Sequence, residues 1–148
     1  MLKRLTKQID GAVVTAWDGV HAEVTSKAIA AGKPVFCEKL MTTTKTDCAE
    51  IVRNEQAAGR NLVQVGFMRR YAPDYCKIKA ILDSGELGKP LMAHCISRTP
   101  RIAAGFTNAM QVTNVLIHEI DSSAGCSARS LSAVKCWRHA TRSLQLTV

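Results

Sequence analysis

His21-Ala-Glu-Val-Thr-Ser-Lys-Ala-Ile-Ala-Ala-Gly-Lys-Pro-Val-Phe-Cys37 reads as a helix, a stop and a buried strand in succession. Residues 21–31 form the helix, and Gly32 supplies the left-handed cap that ends it. Residues 34–37 then make a short apolar strand. Upstream, Ala12-Val-Val-Thr-Ala16 is a second apolar, β-branched run. Downstream, the hydroxyls of Thr42 to Thr46 can cap a helix over residues 47–58, with Ala49, Val52 and Ala57 on its apolar side and Gly59 stopping it. Leu62-Val-Gln-Val65 is a third strand. Strands separated by helices of about ten residues, each closed by a glycine, predict a parallel sheet with crossover helices, the half of a doubly wound α/β fold.

Beyond this half the pattern changes. Residues 74–83 predict an amphipathic helix built on Tyr75, Ile78, Ile81 and Leu82, stopping at Ser84-Gly85. Residues 90–96 predict another strand, residues 99–110 a loop, and residues 114–120 one or two helical turns. From Ser122 to Ser130 there is no helical period, no strand alternation and no acidic residue. The expected organisation is a partial dinucleotide-binding unit over residues 1–70, the start of an α+β sheet domain over 71–121, and a tail of different composition over 122–148.

The chain has 148 residues, 47% of them hydrophobic, enough for a domain core. No apolar run reaches the roughly 18 residues of a membrane span, and the first residues lack the apolar stretch of a signal peptide. The expectation is a cytoplasmic protein with no membrane partner. Six cysteines are widely spaced, with no CxxC pair and no paired Cys/His ligand set, so buried free thiols are expected and no metal site. The net charge of +8 is uneven: residues 1–121 hold 16 basic and 12 acidic side chains, and residues 122–148 hold four basic and no acidic ones. The larger part is ordinarily charged, and nothing interleaves basic with aromatic residues as a nucleic-acid binder does.

Four places offer chemistry. Glu38-Lys39 follows a buried strand at the carboxyl edge of the sheet, where ligands bind in open α/β folds. A lysine there could hold a substrate hydroxyl and pass its proton on, or be a solvated surface residue. His118 lies among apolar residues in Ile117-His-Glu-Ile-Asp121, with Asn114 one turn earlier on the same face. That is an acid–base arrangement, or a hydrogen-bonded, partly buried histidine. His21 opens a helix after Thr15-Ala-Trp-Asp-Gly-Val20, where backbone N–H groups could face a phosphate or ribose, capping and packing being the commoner roles. Arg69-Arg70-Tyr71 could bind an anionic or polyhydroxylated ligand or be a solvated pair.

Five ordered segments together resemble one family, the glucose–fructose oxidoreductase/inositol dehydrogenase/MocA group of NAD(P)-dependent enzymes, and within it the inositol 2-dehydrogenase type. They are Ala12-Val-Val-Thr-Ala-Trp-Asp-Gly-Val-His21, Ala30-Ala-Gly-Lys-Pro-Val-Phe-Cys-Glu-Lys39, Val63-Gln-Val-Gly-Phe-Met-Arg-Arg-Tyr71, Leu82-Asp-Ser-Gly-Glu-Leu-Gly88 and Ile117-His-Glu-Ile-Asp121. The resemblance covers residues 9–121 and implies a partial Rossmann-type fold. It implies hydride transfer from a ring carbinol carbon of a polyol or sugar, such as myo-inositol, to NAD, with NADP possible. By position, Lys39 would touch the nicotinamide ribose and the reacting hydroxyl, and His118 would take the hydroxyl proton. Glu38, Thr15, Ala16, Trp17 and His21 would lie along the cofactor. The intact family implies a homotetramer.

Three departures from the family pattern stand out. Leu40 replaces the proline of the family's Glu-Lys-Pro motif. Asn114 replaces a carboxylate, keeping size and hydrogen bonding but not charge. The glycine-rich dinucleotide loop and the first strand are absent, as is most of the C-terminal sheet domain, so an internal piece of an enzyme, inactive alone, is expected. The codons that residues 121–131 permit can be read in another frame as an amphipathic continuation, so the tail is expected to be out of frame. The alternative function is a non-catalytic remnant acting as a binding module or having no role.

Overall fold

The computed structural model describes residues 9–97, 104–126, 134–137 and 143–146. It divides into two compact units, Met1–Phe67 and Met68–Val148, where the sequence reading put its boundary at residue 70.

The first unit is a parallel sheet with its crossover helices. Strands β1 (Ala12–Val14), β2 (Val35–Glu38) and β3 (Val63–Gly66) lie in that order, all parallel. The register sets Ala12 beside Val35 and Val14 beside Cys37, then Val35 beside Val63 and Glu38 beside Gly66. Parallel neighbours cannot be joined by a tight turn, so each pair is linked through a helix: α1 (Asp18–Ala30) and α2 (Lys45–Ala57). This is a Rossmann-type α/β arrangement.

Alternation along the strands decides which side chains the helices cover. Val14, Val35 and Cys37 are buried and pack with Val24, Ala28, Met41 and Val63. Ile29, Ile51 and Leu62 form the adjoining cluster with Ala22 and Met41. Helix α1 buries His21, Thr25 and Ile29, a stripe with one residue per turn. It starts at Asp18, three residues before the helix read from the sequence, with Trp17 as an N-cap that makes no side-chain cap hydrogen bond. In α2 the buried anchor is Ile51, whereas Val52, expected inward, is exposed. The Thr44 hydroxyl caps α2 by accepting from the Asp47 N–H at 3.1 Å. Gly32 ends α1 at φ +65°, the left-handed conformation expected of it.

One side chain locks α2 to the sheet. The Glu55 Oε1 accepts from the N–H groups of both Leu62 and Val63, each at 2.7 Å. It closes the start of β3, where those donors lack a strand partner.

The second unit begins with a 3₁₀ turn, Met68–Tyr71, and α3 (Pro73–Ser84). Pro73 occupies the first turn of α3, where its missing N–H costs nothing, and Gly85 ends the helix at φ +73°. A short helix α4 (Asn108–Met110) runs through a π-helical stretch (Gln111–Leu116) into α5 (Ile117–Cys126). Strands β4 (Val134–Trp137) and β5 (Ser143–Leu146) pair antiparallel.

Three expectations are corrected. Residues 90–96 form no strand: Leu91, Met92 and Ile96 are largely exposed. An apolar run becomes a strand only when a neighbour takes its N–H and C=O groups. The helical period does not break after Asp121, since α5 continues to Cys126, and two strands follow. The expected loop over 99–110 lies partly outside the described residues, and its end is already helical at Asn108.

Candidate cofactor and substrate site

The carboxyl ends of the three parallel strands gather the residues that the sequence singled out in the first unit. Thr15, Ala16 and Trp17 follow β1 and are exposed, Trp17 at 78%. Trp17 is the N-cap residue of α1, and Gly19 leaves the space that its indole fills, where a Cβ would collide with the ring. Glu38 ends β2 and Lys39 follows it, both half-buried. The Glu38 carboxylate accepts from the Lys39 N–H at 3.2 Å. The Lys39–Leu40 peptide is cis. Gly66 ends β3 beside Glu38, and a Cβ there would meet the Phe36 ring at 2.9 Å and the Glu38 Oε1 at 3.3 Å. Only glycine lets the end of β3 lie this close to Phe36 and Glu38.

His21 is placed differently from its neighbours. It is 1% exposed. Its Nδ1 lies 2.6 Å from the Leu40 carbonyl oxygen and its Nε2 2.8 Å from the Ala16 carbonyl oxygen. Both ring nitrogens thus face main-chain acceptors inside the unit and not the open edge of the sheet. Spacing alone gave no sign of this, because the two acceptors are backbone atoms in separate loops.

Cys37 lies on β2 next to Glu38, fully buried. Burial pushes its thiol up from the usual cysteine range, the Thr25 hydroxyl pulls it down, and the charges of Glu38 and Asp18 add to the rise. Of the other described cysteines, Cys48 is half-buried and Cys76 and Cys95 are exposed, so the expectation of buried thiols throughout is corrected. All four are free.

In the second unit His118 stands in the first turn of α5, half-buried, and Asn114 one turn before it in the π-helical stretch. The residues on either side of His118 hold the helix in place. The Glu119 carboxylate takes both terminal nitrogens of Arg69, Nη2 to Oε1 at 2.8 Å. The Asp121 carboxylate takes Arg70, Nε to Oδ2 at 3.0 Å. The Arg69 guanidinium also lies over the Tyr75 ring, 5.1 Å from its centre. Hydrogen bonding from Arg69 holds the Glu119 carboxyl below its ordinary range, against the opposing effect of burial. Both arginines are thus engaged by carboxylates of α5, Arg69 half-buried and Arg70 still 52% exposed. The carboxylates sat in the quoted His-Glu-Ile-Asp segment, but no local rule pairs residues fifty apart in sequence.

Among the described residues, no three His, Cys, Asp or Glu side chains come together as a metal ion would require. No described helix is long and apolar enough to cross a membrane. A hollow of about 420 Å³ lies at the amino ends of the strands, lined by Gly11, Pro34 and Asn61 among others, the opposite edge from Lys39.

The model of the oxidoreductase family with an NAD-binding Rossmann fold, Gfo/Idh/MocA, matches residues 2–67. Over 114 residues the chain is 49% identical to the inositol 2-dehydrogenase of Pseudomonas fluorescens, a match covering 77% of this chain and 34% of that protein. The first unit thus matches the Gfo/Idh/MocA oxidoreductase family, and inositol 2-dehydrogenases are homologues of the chain. The inositol 2-dehydrogenase of Klebsiella pneumoniae is 50% identical over 113 residues, covering 76% of this chain and 34% of that protein. Among solved structures, myo-inositol dehydrogenase from Lactobacillus casei in complex with NAD(H) and myo-inositol aligns at a TM-score of 0.73 and 31% identity. That alignment covers 90% of this chain and 39% of the other. The chain therefore spans about a third of the length of the curated relatives it matches.

Proposed function

We propose that this Gfo/Idh/MocA chain carries part of the active site of an NAD-dependent inositol 2-dehydrogenase, oxidising a ring carbinol of a cyclic polyol such as myo-inositol to the ketone. The observation that carries the reading is Lys39, half-buried directly after the central strand β2, between the loops that follow β1 and β3. The residues present fit a nicotinamide nucleotide: Thr15, Ala16 and Trp17 offer exposed backbone at the carboxyl edge, and Gly66 keeps the neighbouring strand end free of side chain. When bound, NAD accepts the hydride that leaves the carbinol carbon.

The chain's own residues do the rest. The Lys39 ammonium holds the reacting hydroxyl and the ribose side of the cofactor, so that the carbinol hydrogen points the right way. His118 takes the hydroxyl proton as general base. Asn114 orients the imidazole or the substrate by hydrogen bonding. Glu38 and the Thr15–Trp17 stretch border the cofactor. We propose further that the protein works in the cytoplasm as a homo-oligomer, the family resemblance implying a tetramer, with NADP as a second cofactor it could accept.

The test follows reduction of NAD by nicotinamide absorbance with myo-inositol as substrate. It uses the chain itself and a chimaera in which residues 9–121 replace the corresponding stretch of the Pseudomonas fluorescens relative. The chimaera is expected to turn over, and its Lys39→Ala and His118→Ala forms to lose about 10²-fold or more in kcat. A folded chimaera with no turnover would favour the second reading, a non-catalytic module. Asn114 speaks for that reading, since it stands where the resemblance leads one to expect a carboxylate.

A further inference from the structure

Helix α1 fully buries three side chains, and of these only Ile29 is apolar. A polar ring at the His21 position is costly to bury unless its nitrogens find partners. It finds two, on separate loops: the Leu40 carbonyl at 2.6 Å, nineteen residues on, and the Ala16 carbonyl at 2.8 Å, five residues back. A carbonyl oxygen only accepts, so an arm is a hydrogen bond where the ring nitrogen facing it carries the proton. Ala16 lies between Thr15 and Trp17, and Leu40 directly follows Lys39. One buried ring therefore ties the loop after β1 to the loop after β2.

We infer that His21 is a positioning residue for Lys39: its Nδ1 arm fixes the carbonyl of Leu40, the residue that follows Lys39, and so limits how far the Lys39 backbone can shift. This rests on the reading of Lys39 as the residue that holds the substrate hydroxyl. The ring is mounted on a helix whose next two inward residues, Thr25 and Ile29, are themselves buried, so the mount does not shift with the loops. Leu40 is also buried, and it anchors the far side of the same turn. Lys39 is thus held between two fixed points, β2 before it and the braced Leu40 carbonyl after it. A side chain that must meet a reacting hydroxyl needs this, because small displacements of catalytic groups cost large factors in rate.

Two substitutions separate the arms. In His21→Asn the amide nitrogen reaches the position of Nδ1 and keeps the Leu40 arm. In His21→Gln the amide nitrogen reaches the position of Nε2 and keeps only the Ala16 arm. The readout, on the full chain, is the rate at which an amine-acylating reagent modifies Lys39, followed by peptide mass spectrometry with Lys27 and Lys79 as internal references. The Lys39 rate is expected to stay near wild type in His21→Asn and to rise about fivefold in His21→Gln, the ratio that one hydrogen bond of ordinary net strength supports. The reference rates should not move. Equal Lys39 rates in the two folded variants would overturn the positioning role. If His21→Gln unfolds and all three lysines react faster, His21→Asn decides: a wild-type Lys39 rate supports the brace and a raised one overturns it. Unfolding of both variants also overturns it, leaving a purely structural histidine. Polyol oxidation is measured separately on the wild-type chimaera. Its absence beside the expected labelling pattern would defeat the functional reading and leave the brace standing.

Discussion

The Arg69 guanidinium and the Glu119 carboxylate close on each other through two parallel hydrogen bonds, joining the turn that opens the second unit to the helix that carries His118. Both side chains are largely withdrawn from solvent, 21% and 12% exposed. A planar guanidinium meeting a carboxylate in this way fixes direction as well as distance. The pair is therefore a hinge pin for α5.

Its pH dependence has a definite sign. The folded carboxyl of Glu119 titrates below its unfolded value, first because Arg69 hydrogen bonds to it. The stabilisation is thus fully present above the unfolded pKa of about 4.3 and is lost as pH falls through the lower folded value. Glu119→Gln, which leaves Arg69 facing a neutral acceptor, should cost about 3 kcal/mol at neutral pH. In urea titrations the gap between wild type and Glu119→Gln should narrow steadily as the pH is taken down from about 4.3. A gap that stayed constant into strong acid would remove the ion pair from the account.

Glu55 makes a second long-range tie, and its loss should be felt in the first unit. Glu55→Ala strips an acceptor from two main-chain donors at the start of β3, one of them on the buried Leu62. The expected loss is about 2–4 kcal/mol, the cost of leaving two such donors without a partner. Glu55→Gln keeps an acceptor oxygen and should lose less than half of that. Amide exchange at Leu62 and Val63 is the local check, and it should quicken in the alanine form ahead of the rest of the sheet.

Thiol chemistry separates the cysteines by place. Cys37 has no exposed surface, and its thiol is held protonated by burial. Cys76 lies exposed on α3. An alkylating reagent at neutral pH should modify Cys76 readily in the folded protein and reach Cys37 only after denaturant is added. Alkylation of Cys37 at the Cys76 rate under native conditions would mean that the β2 core opens.

The sheet was legible because glycine and β-branched residues act locally. Gly32 has to adopt a left-handed cap, and Val35 has to be extended and buried, whatever else the chain does. The start of α1 was not legible at Asp18 because its N-cap residue, Trp17, makes no side-chain cap hydrogen bond and the next two residues, Asp18 and Gly19, add no apolar period. Residues 90–96 read as a strand because propensity describes one chain, whereas a strand requires two. The helix past Asp121 was missed for the opposite reason. Serine, alanine and glycine are weak signals alone, but the turns from Ile117 have already nucleated α5, and the Ser122 hydroxyl bonds back to the His118 carbonyl at 2.7 Å instead of breaking the ladder. The chemistry of Lys39 and His118 was read from position in a motif. The groups that hold them, His21 and the Arg69–Glu119 pair, became visible only when the backbone brought them together.

Asn114 offers the sharpest test of the proposed chemistry. It sits one turn before His118, half-buried, and its Oδ1 accepts from the Thr113 hydroxyl at 3.0 Å. An amide there orients by hydrogen bonding but contributes no charge as the imidazole gains its proton. A carboxylate would stabilise that imidazolium, raising the basicity of His118 in the step where the hydroxyl is deprotonated. In the chimaera, Asn114→Asp should therefore raise kcat for myo-inositol by about 10²-fold, on the scale of general acid–base contributions, with little change in the KM for NAD. The ascending limb of the pH–rate profile, which reports the base, should move to higher pH in the aspartate form. A deuterium-labelled carbinol checks that the chemical step limits the rate in both. If the isotope effect is full and the two rates are equal, the residue at 114 does not act through His118, and the acid–base role assigned to this turn of the helix falls with it.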